Sequence, residues 1–185
     1  MKKIIAVLAL ALALTGCGRR ELEDRSFPTV LVARTGDLGA REEERQAASS
    51  KYIDYGQVKA VLLGREAAED PASLGEILAY LEEHPVFAGN MLVFVADEGV
   101  CGLAERDEKF GLLLEDLAKN QPGGPEERLA LKDLLNYLHN GEPSIRVPLL
   151  CEKEGEARPG GKIELSQEAA EAVHVPVPRK AKTGQ

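Results

Sequence analysis

Three cysteines carry the reactive sulfur of this chain: Cys17, Cys101 and Cys151. Their spacing is too wide for a zinc knuckle or a CxxC redox pair. Cys17 is distinguished by what precedes it. Lys2 and Lys3 make a short positive start, Ile4 to Leu14 is an apolar run of eleven residues, and Leu14-Thr15-Gly16-Cys17 closes it. Small side chains ahead of a thiol fit a narrow protease groove, and sulfur is the nucleophile that can take up an alkyl group. Eleven helical residues rise only about 16 Å, against about 30 Å for a bilayer core, so the run is the apolar part of an export signal and not a spanning helix.

The ending Leu-Thr-Gly-Cys resembles the lipobox of bacterial lipoproteins, in which the cysteine receives a diacylglyceryl group and the signal is cut just before it; the resemblance implies cleavage between Gly16 and Cys17 and lipid on the Cys17 sulfur. Two acyl chains hold a protein stably on a bilayer, whereas one does so only marginally. Cys101 and Cys151 have two readings. In an oxidising exterior they could close one disulfide, provided their Cα atoms approach within about 7 Å. The plainer reading is two small, half-buried thiols.

Other chemistry is sparse. His84 and His139 fall at helix C-termini, where an imidazolium is favoured by the helix dipole, and His174 lies in a weak tail. There is no HExxH, GxSxG, GxxxxGK[ST] or strand-following GxGxxG. Glu42, Glu43, Glu44, Glu66, Glu69, Glu82, Glu83, Glu126 and Glu127 come mostly in runs, as on solvated faces. Four Phe, four Tyr and no Trp disfavour recognition by stacking on sugars or bases. The formal charge is −8, and without residues 1–16 there remain 21 basic and 31 acidic side chains, a charge of −10. Such a body has no electrostatic footprint for nucleic acid and no general attraction to anionic headgroups. These absences predict no catalytic residue, no metal and no cofactor. They favour a binding or assembly component over an enzyme.

The elements that must position these residues follow from periodicity. Residues 1–16 are the signal, 17–26 a short charged linker, 27–150 a folded domain and 151–185 a weakly structured end. Phe27 to Ala33, Gln57 to Leu63 and Met91 to Ala96 read as buried strands. Residues 40–52 suggest a helix. Asp70-Pro71 starts another, with a capping carboxylate before proline at the first helical position. Its stripe is Leu74, Ile77, Leu78 and Leu81. Gly99 and Gly102 fall in the turn after the third strand, with at most a short helix at 100–106. Phe110, Leu113, Leu114 and Leu117 form a second stripe; Leu131, Leu134, Leu135 and Leu138 form a third. Gln121-Pro122-Gly123-Gly124-Pro125 separates them. Ile145, Val147 and Leu149 alternate as in a half-exposed strand. Beyond Cys151, Lys162 to Leu165 suggests a short strand and Ser166 to Val173 a short helix, before a basic tail from Pro176. Apolar strands alternating with amphipathic helices predict an α/β (α+β) domain, a central β-sheet covered by helices.

These residues resemble the Ger(x)C family, the lipoprotein C subunit of spore germinant receptors, over its N-terminal domain. The first match is Cys17-Gly18-Arg19-Arg20-Glu21-Leu22-Glu23-Asp24-Arg25-Ser26-Phe27, where family members carry a charged Arg-Glu-[Leu/Ile]-x-Asp link before a strand. Many have Trp-Asp after the cysteine; this chain has Gly18-Arg19. The second match is Val58 to Gly64 running into Arg65-Glu66-Ala67-Ala68. The third is His84-Pro85-Val86-Phe87-Ala88-Gly89-Asn90 leading to Val93-Phe94-Val95-Ala96. A looser one closes the series, from Leu138-His139-Asn140-Gly141-Glu142-Pro143 to Pro148. Family members continue into further α/β domains, so this chain reads as a reduced paralogue or a truncated product. The resemblance implies a non-enzymatic lipoprotein on the outer face of the plasma membrane, the inner membrane of the spore. Its partners would be the lipid bilayer and the membrane-embedded receptor subunits, and its role nutrient-triggered germination. The alternatives are an unrelated envelope lipoprotein that binds a solute or scaffolds a surface complex, and a lipid-anchored enzyme. Replacing Cys17→Ala is expected to release the protein from membranes or to leave an uncleaved precursor. A variant that stays membrane-bound with its signal removed, in a fractionation and immunoblot, contradicts lipid attachment at this sulfur.

Overall fold

The computed structural model describes residues 22–87, 89–120, 128–140 and 142–166. The signal segment, Gly16 and Cys17, the Gln121 to Pro125 break, the helix suggested after Ser166, His174 and the tail lie outside the described residues. The chain runs through β1 (Arg25–Ser26), β2 (Val30–Ala33), α1 (Leu38–Ala48), β3 (Tyr52–Ile53) and β4 (Ala60–Gly64). It continues through α2 (Arg65–Glu69), α3 (Pro71–Glu83), β5 (Leu92–Ala96), α4 (Glu98–Arg106) and α5 (Phe110–Asn120). It ends with α6 (Leu131–Asn140), β6 (Ser144–Lys153) and β7 (Glu156–Ser166).

The main sheet has the order β2-β4-β5-β6-β7. The first four strands are parallel and β7 is antiparallel to β6. β1 and β3 form a separate two-residue ladder, also parallel. The apolar runs of β4 and β5 explain this arrangement, because a strand buried on both faces has no polar alternation. Val61, Leu63, Val93 and Val95 face one helical layer, against Leu38 of α1, Ala67 of α2, Leu74, Ile77, Leu78 and Leu81 of α3, and Leu131 and Leu134 of α6. Ala60, Leu62, Phe94 and Ala96 face the other, against Val100, Cys101 and Ala104 of α4 and Phe110, Leu114 and Ala118 of α5. Each such leucine or valine stabilises the fold by about 1.5–3 kcal/mol relative to exposure. The expected helix-covered α/β sheet is the observed fold.

Local chemistry sets the ends of the elements. The Asp70 carboxylate accepts from the Ser73 N–H at 3.0 Å, ahead of Pro71, so α3 begins where the sequence predicts. Hydrogen bonding to Ser73 holds this carboxyl below the usual range. The β2 strand starts at Val30, later than Phe27, because Pro28 has no N–H and Thr29 turns aside to Glu108, donating from its N–H (3.0 Å) and Oγ1 (2.6 Å) to the Glu108 carbonyl. β4 begins at Ala60, where Lys59 N–H has just donated to the Thr29 carbonyl at 2.8 Å.

Three expectations need correction. The turn after β5 is helix from Glu98 onward, because the Asp97 side chain accepts from Val100 N–H at 2.9 Å and caps α4. Gly99 is part of that first turn, and its missing side chain leaves room for Glu152 of β6. In α5 the buried face is Phe110, Gly111, Leu114 and Ala118, while Leu113 stands 46% exposed. The close approach of Gly111 to Thr29 rotates the helix that way.

The third correction concerns the segment beyond Cys151. It continues as β6, turns at Glu154-Gly155 with both φ angles positive (55° and 79°), and returns as the eleven-residue β7. Such a turn matches the twist of a two-stranded ribbon. Gly161, at φ 97°, sits at the register shift opposite Leu149/Leu150. Glycines that suggest a loop thus serve the turn and the bulge of a hairpin.

After α5 the chain passes beside the lower half of β5. Leu131 N–H donates to the Met91 carbonyl (2.8 Å) and Val93 N–H to the Leu129 carbonyl (2.9 Å). β6 then pairs with Val95 and Ala96 only. Pro148 therefore falls just before the stretch of β6 that bonds to β5, where its missing N–H costs no ladder bond to that strand.

A methyl group at Gly111 would overlap the Thr29 carbonyl oxygen, whereas one at Gly102 would meet nothing closer than the Arg106 guanidinium at 3.9 Å. Gly111→Ala is expected to lower the unfolding free energy by about 2 kcal/mol or more, and Gly102→Ala to raise it by about 0.5–1 kcal/mol. Urea denaturation distinguishes them; equal midpoints would show that α5 is not wedged against Thr29.

Candidate functional site

In parallel α/β sheets, ligands usually bind beyond the carboxyl ends of the strands, where the strand order reverses. Here the order of β2, β4, β5 and β6 follows the sequence without reversal. Protein groups fill the space at those ends. Asp97 both caps α4 and accepts from the Glu152 N–H at 2.9 Å. Gly64, whose close neighbour is the Arg34 backbone, leads straight into α2. The Arg34 guanidinium reaches across to α4, bonding Glu98 and, at 2.9 Å, Glu105. Its Nε is buried without a partner.

A hollow of about 400 Å³ lies at the edge of β2, between α1 and α4. Val32 forms part of its wall, with Arg41, Glu42 and Arg45 of α1 and Glu105 of α4. Glu42 is the chemically distinct member. It is 9% exposed, Arg45 is 4.0 Å from Oε1, and Oε2 is buried with no hydrogen-bond partner. Burial pushes its carboxyl above the usual range, against the opposing pull of Arg45 and Arg41. The reading of Glu42 as a solvated carboxylate is therefore corrected. The signal was present in the spacing: Glu42 follows buried Leu38 by four residues, hence lies on the same helical face. A polar run around it obscured that register.

A second hollow, about 430 Å³ and strongly polar, is lined by Asp24, Gln46, Ser49, Ser50, Lys51 and Tyr52. The Gln46 side chain fixes one wall, donating to the Lys51 carbonyl (3.0 Å) and accepting from the Ile53 N–H (2.8 Å). Arg25 pairs with Asp54 at 2.9 Å and lies 5.8 Å from the centre of the Tyr52 ring.

The two described cysteines are free thiols. Cys101 is fully buried in the layer of α4 and α5, and burial pushes its thiol up to about 11. Cys151 is half-buried and packs with the opposite layer. The sheet stands between them, so a disulfide between Cys101 and Cys151 is not part of this fold. His84 ends α3, with Nδ1 2.7 Å from the Tyr80 carbonyl and its ring stacked 4.0 Å from the Tyr80 ring. His139, in the last turn of α6, lies 3.0 Å from Glu82. The two described histidines, His84 and His139, do not converge. Among the described residues no group of three His, Cys, Asp or Glu side chains could hold a metal ion. No helix among the described residues is long and apolar enough to cross a membrane. Gly16 and Cys17, where the sequence leads one to expect cleavage and lipid attachment, lie outside the described residues.

These features define a class: a three-layer α/β domain in which Arg34, Asp70, Asp97, Glu98 and Glu105, at or near the carboxyl ends of the strands, are engaged in pairing and capping. The family follows from comparison. A family model described as the spore germination protein N-terminal domain matches residues 23–150, more than half of the chain. The chain belongs to this family, as its resemblance to Ger(x)C N-terminal domains led one to expect, and its role is in spore germination. Comparison with curated proteins and with solved structures gave no match.

The buried Glu42 carboxyl generates a pH prediction. Its folded-state affinity for protons exceeds that of the unfolded chain, so it disfavours folding increasingly as pH rises through and above the usual glutamate range. Glu42→Gln is expected to raise the melting temperature at pH 7 by a few degrees, with the gain shrinking toward pH 4. A variant that melts lower than wild type at pH 7 would show that the Arg45 and Arg41 attractions outweigh the burial of the charge.

Proposed function

We propose that this protein is a lipid-anchored, non-enzymatic subunit of a spore germinant receptor. Diacylglyceryl on Cys17 holds it to the outer face of the plasma membrane, the inner membrane of the spore. There it assembles with membrane-embedded receptor subunits and acts in nutrient-triggered germination. The observation that carries the reading is adjacency in the sequence. The spore germination domain begins at residue 23, six residues after a cysteine that closes an export signal. A domain so placed is tethered on a short leash beside the bilayer, where membrane-embedded partners are within reach.

The surface supports assembly over catalysis. Near the strand ends Arg34 is engaged in structural pairs with Glu98 and Glu105, and Cys101 is held protonated by burial. The two described histidines are separated, His84 beside a helix carbonyl and His139 beside a surface glutamate.

Deleting the gene is expected to abolish or slow germination with at least one nutrient, measured as loss of optical density of purified spores. The wild-type gene is expected to restore it and the Cys17→Ala gene to restore it poorly. Unchanged germination with every nutrient that triggers the parent strain would remove the receptor reading.

A further inference from the structure

Among the described residues, four large apolar side chains are more than 40% exposed: Tyr52 (44%), Val86 (48%), Leu112 (43%) and Leu113 (46%). They are scattered in sequence, yet the topology brings them to one end of the molecule. Tyr52 lies in β3, shortly ahead of β4. Val86 lies in the turn ahead of β5. Leu112 and Leu113 lie in the first turn of α5, where the Gly111 N–H donates to Thr29 Oγ1 at 3.0 Å just ahead of β2. All four therefore sit at the amino-terminal end of the parallel strands.

Charge is divided along the same axis. The described segments at this pole, β1 and β3 among them (22–29, 49–59, 84–87, 89–91, 107–109, 128–130, 140 and 142–143), carry six acidic and five basic side chains. Those at the opposite pole (34–37, 64–70, 97–98 and 152–158) carry nine acidic and four basic. By its described residues the second pole would be repelled by an anionic surface more strongly than the first.

The chain also enters the fold at the apolar pole. β1 begins at Arg25, eight residues after Cys17, and eight extended residues span at most about 29 Å. Ser26 Oγ then donates to Glu108 at 2.7 Å, in the corner that leads into α5. The point where the leash joins the body thus lies next to the turn bearing Leu112 and Leu113.

From this juxtaposition we infer that the amino-terminal pole of the sheet rests on the lipid bilayer. Leu112 and Leu113 enter the interfacial zone, and Tyr52 lies at headgroup level, where an amphipathic ring is favoured. Two leucines would not hold a free domain on a membrane. On a tethered one the effective concentration of the surface is high, so a modest gain suffices to choose the orientation. The opposite pole, with the β6–β7 turn, then faces away from the lipid. The inference rests on the anchor reading of Cys17 and goes beyond it by assigning the surface that touches the membrane.

The chain has no tryptophan, so a single introduced indole reports its own surroundings. Leu113→Trp marks the proposed contact, and Lys153→Trp marks the opposite pole. The lipidated mature chain is placed on vesicles of phosphatidylethanolamine and phosphatidylglycerol, with and without brominated acyl chains. Bromine is expected to quench the indole of Leu113→Trp about twofold, with a blue-shifted emission, and to leave that of Lys153→Trp unchanged. Flotation of the vesicles reports anchoring separately. If the lipidated chain does not float, a Cys151→Ser chain is coupled through Cys17 to a maleimide-headgroup lipid and read in the same way. Quenching in that arm alone retains the orientation and rejects the natural anchor. Vesicle-bound protein with an unquenched Leu113→Trp indole, or with both indoles quenched alike, overturns the proposal. A blue shift without quenching would mean that a second copy of the chain covers this pole instead.

Discussion

β4 and β5 have no solvent face, and most of the architecture follows from that constraint. Val61 and Leu63 on one side and Ala60 and Leu62 on the other are fully buried, as are Val95 and Ala96 beside them. A sheet with two apolar faces needs a helical layer on each. The chain builds the first with α1, α2 and α3, then changes sides with α4 and α5, and returns for α6. The return passage has to cross the sheet, and it does so as the Leu129 to Leu131 segment hydrogen-bonded to the lower half of β5. The shared edge of β5, half given to this segment and half to β6, is the consequence.

Few polar groups organise this crossing pattern, and each does more than one task. Thr29 donates twice to the Glu108 carbonyl, accepts from Gly111 on its hydroxyl and from Lys59 on its carbonyl. It thereby fixes the start of β2, the start of α5 and the register near β4 together. Asp97 performs the equivalent task at the other end of the sheet, capping α4 with one oxygen and holding the Glu152 N–H with the other. Residues of this kind are costly to remove because several backbone groups lose their partner at once.

The molecule that results is polarised. Structural charges gather where the strands end, and exposed apolar side chains gather where they begin. The chain enters the folded body at the second of these poles, through β1. The sheet edges are also unlike: β2 is short and flanked by the hollow containing Glu42, while β7 is long, largely exposed and charged. Charge along an exposed edge discourages unwanted strand pairing.

Much of this was legible in the residues. Continuous apolar runs marked β4 and β5, Asp70-Pro71 marked the start of α3, and Leu74, Ile77, Leu78 and Leu81 marked its buried face. The ordered motifs from Cys17 to Pro148 identified the family. Each of these signals is local, set by backbone geometry and by periodicity within one element. What only the tertiary structure decided depends on which faces meet. Leu113 has the right spacing for a core residue, but contact between Gly111 and Thr29 turns it outward. Glu42 has the composition of a surface residue, but α1 sets it beside the sheet edge. Cys101 and Cys151 belong to adjacent strand-and-helix units, yet opposite faces of one sheet keep them apart. The glycines and proline after Cys151 suggest a loop until ten paired positions on β6 give them a hairpin. Periodicity ranks the faces of a single helix or strand; the packing of several elements around a two-sided sheet then determines which of those faces are covered.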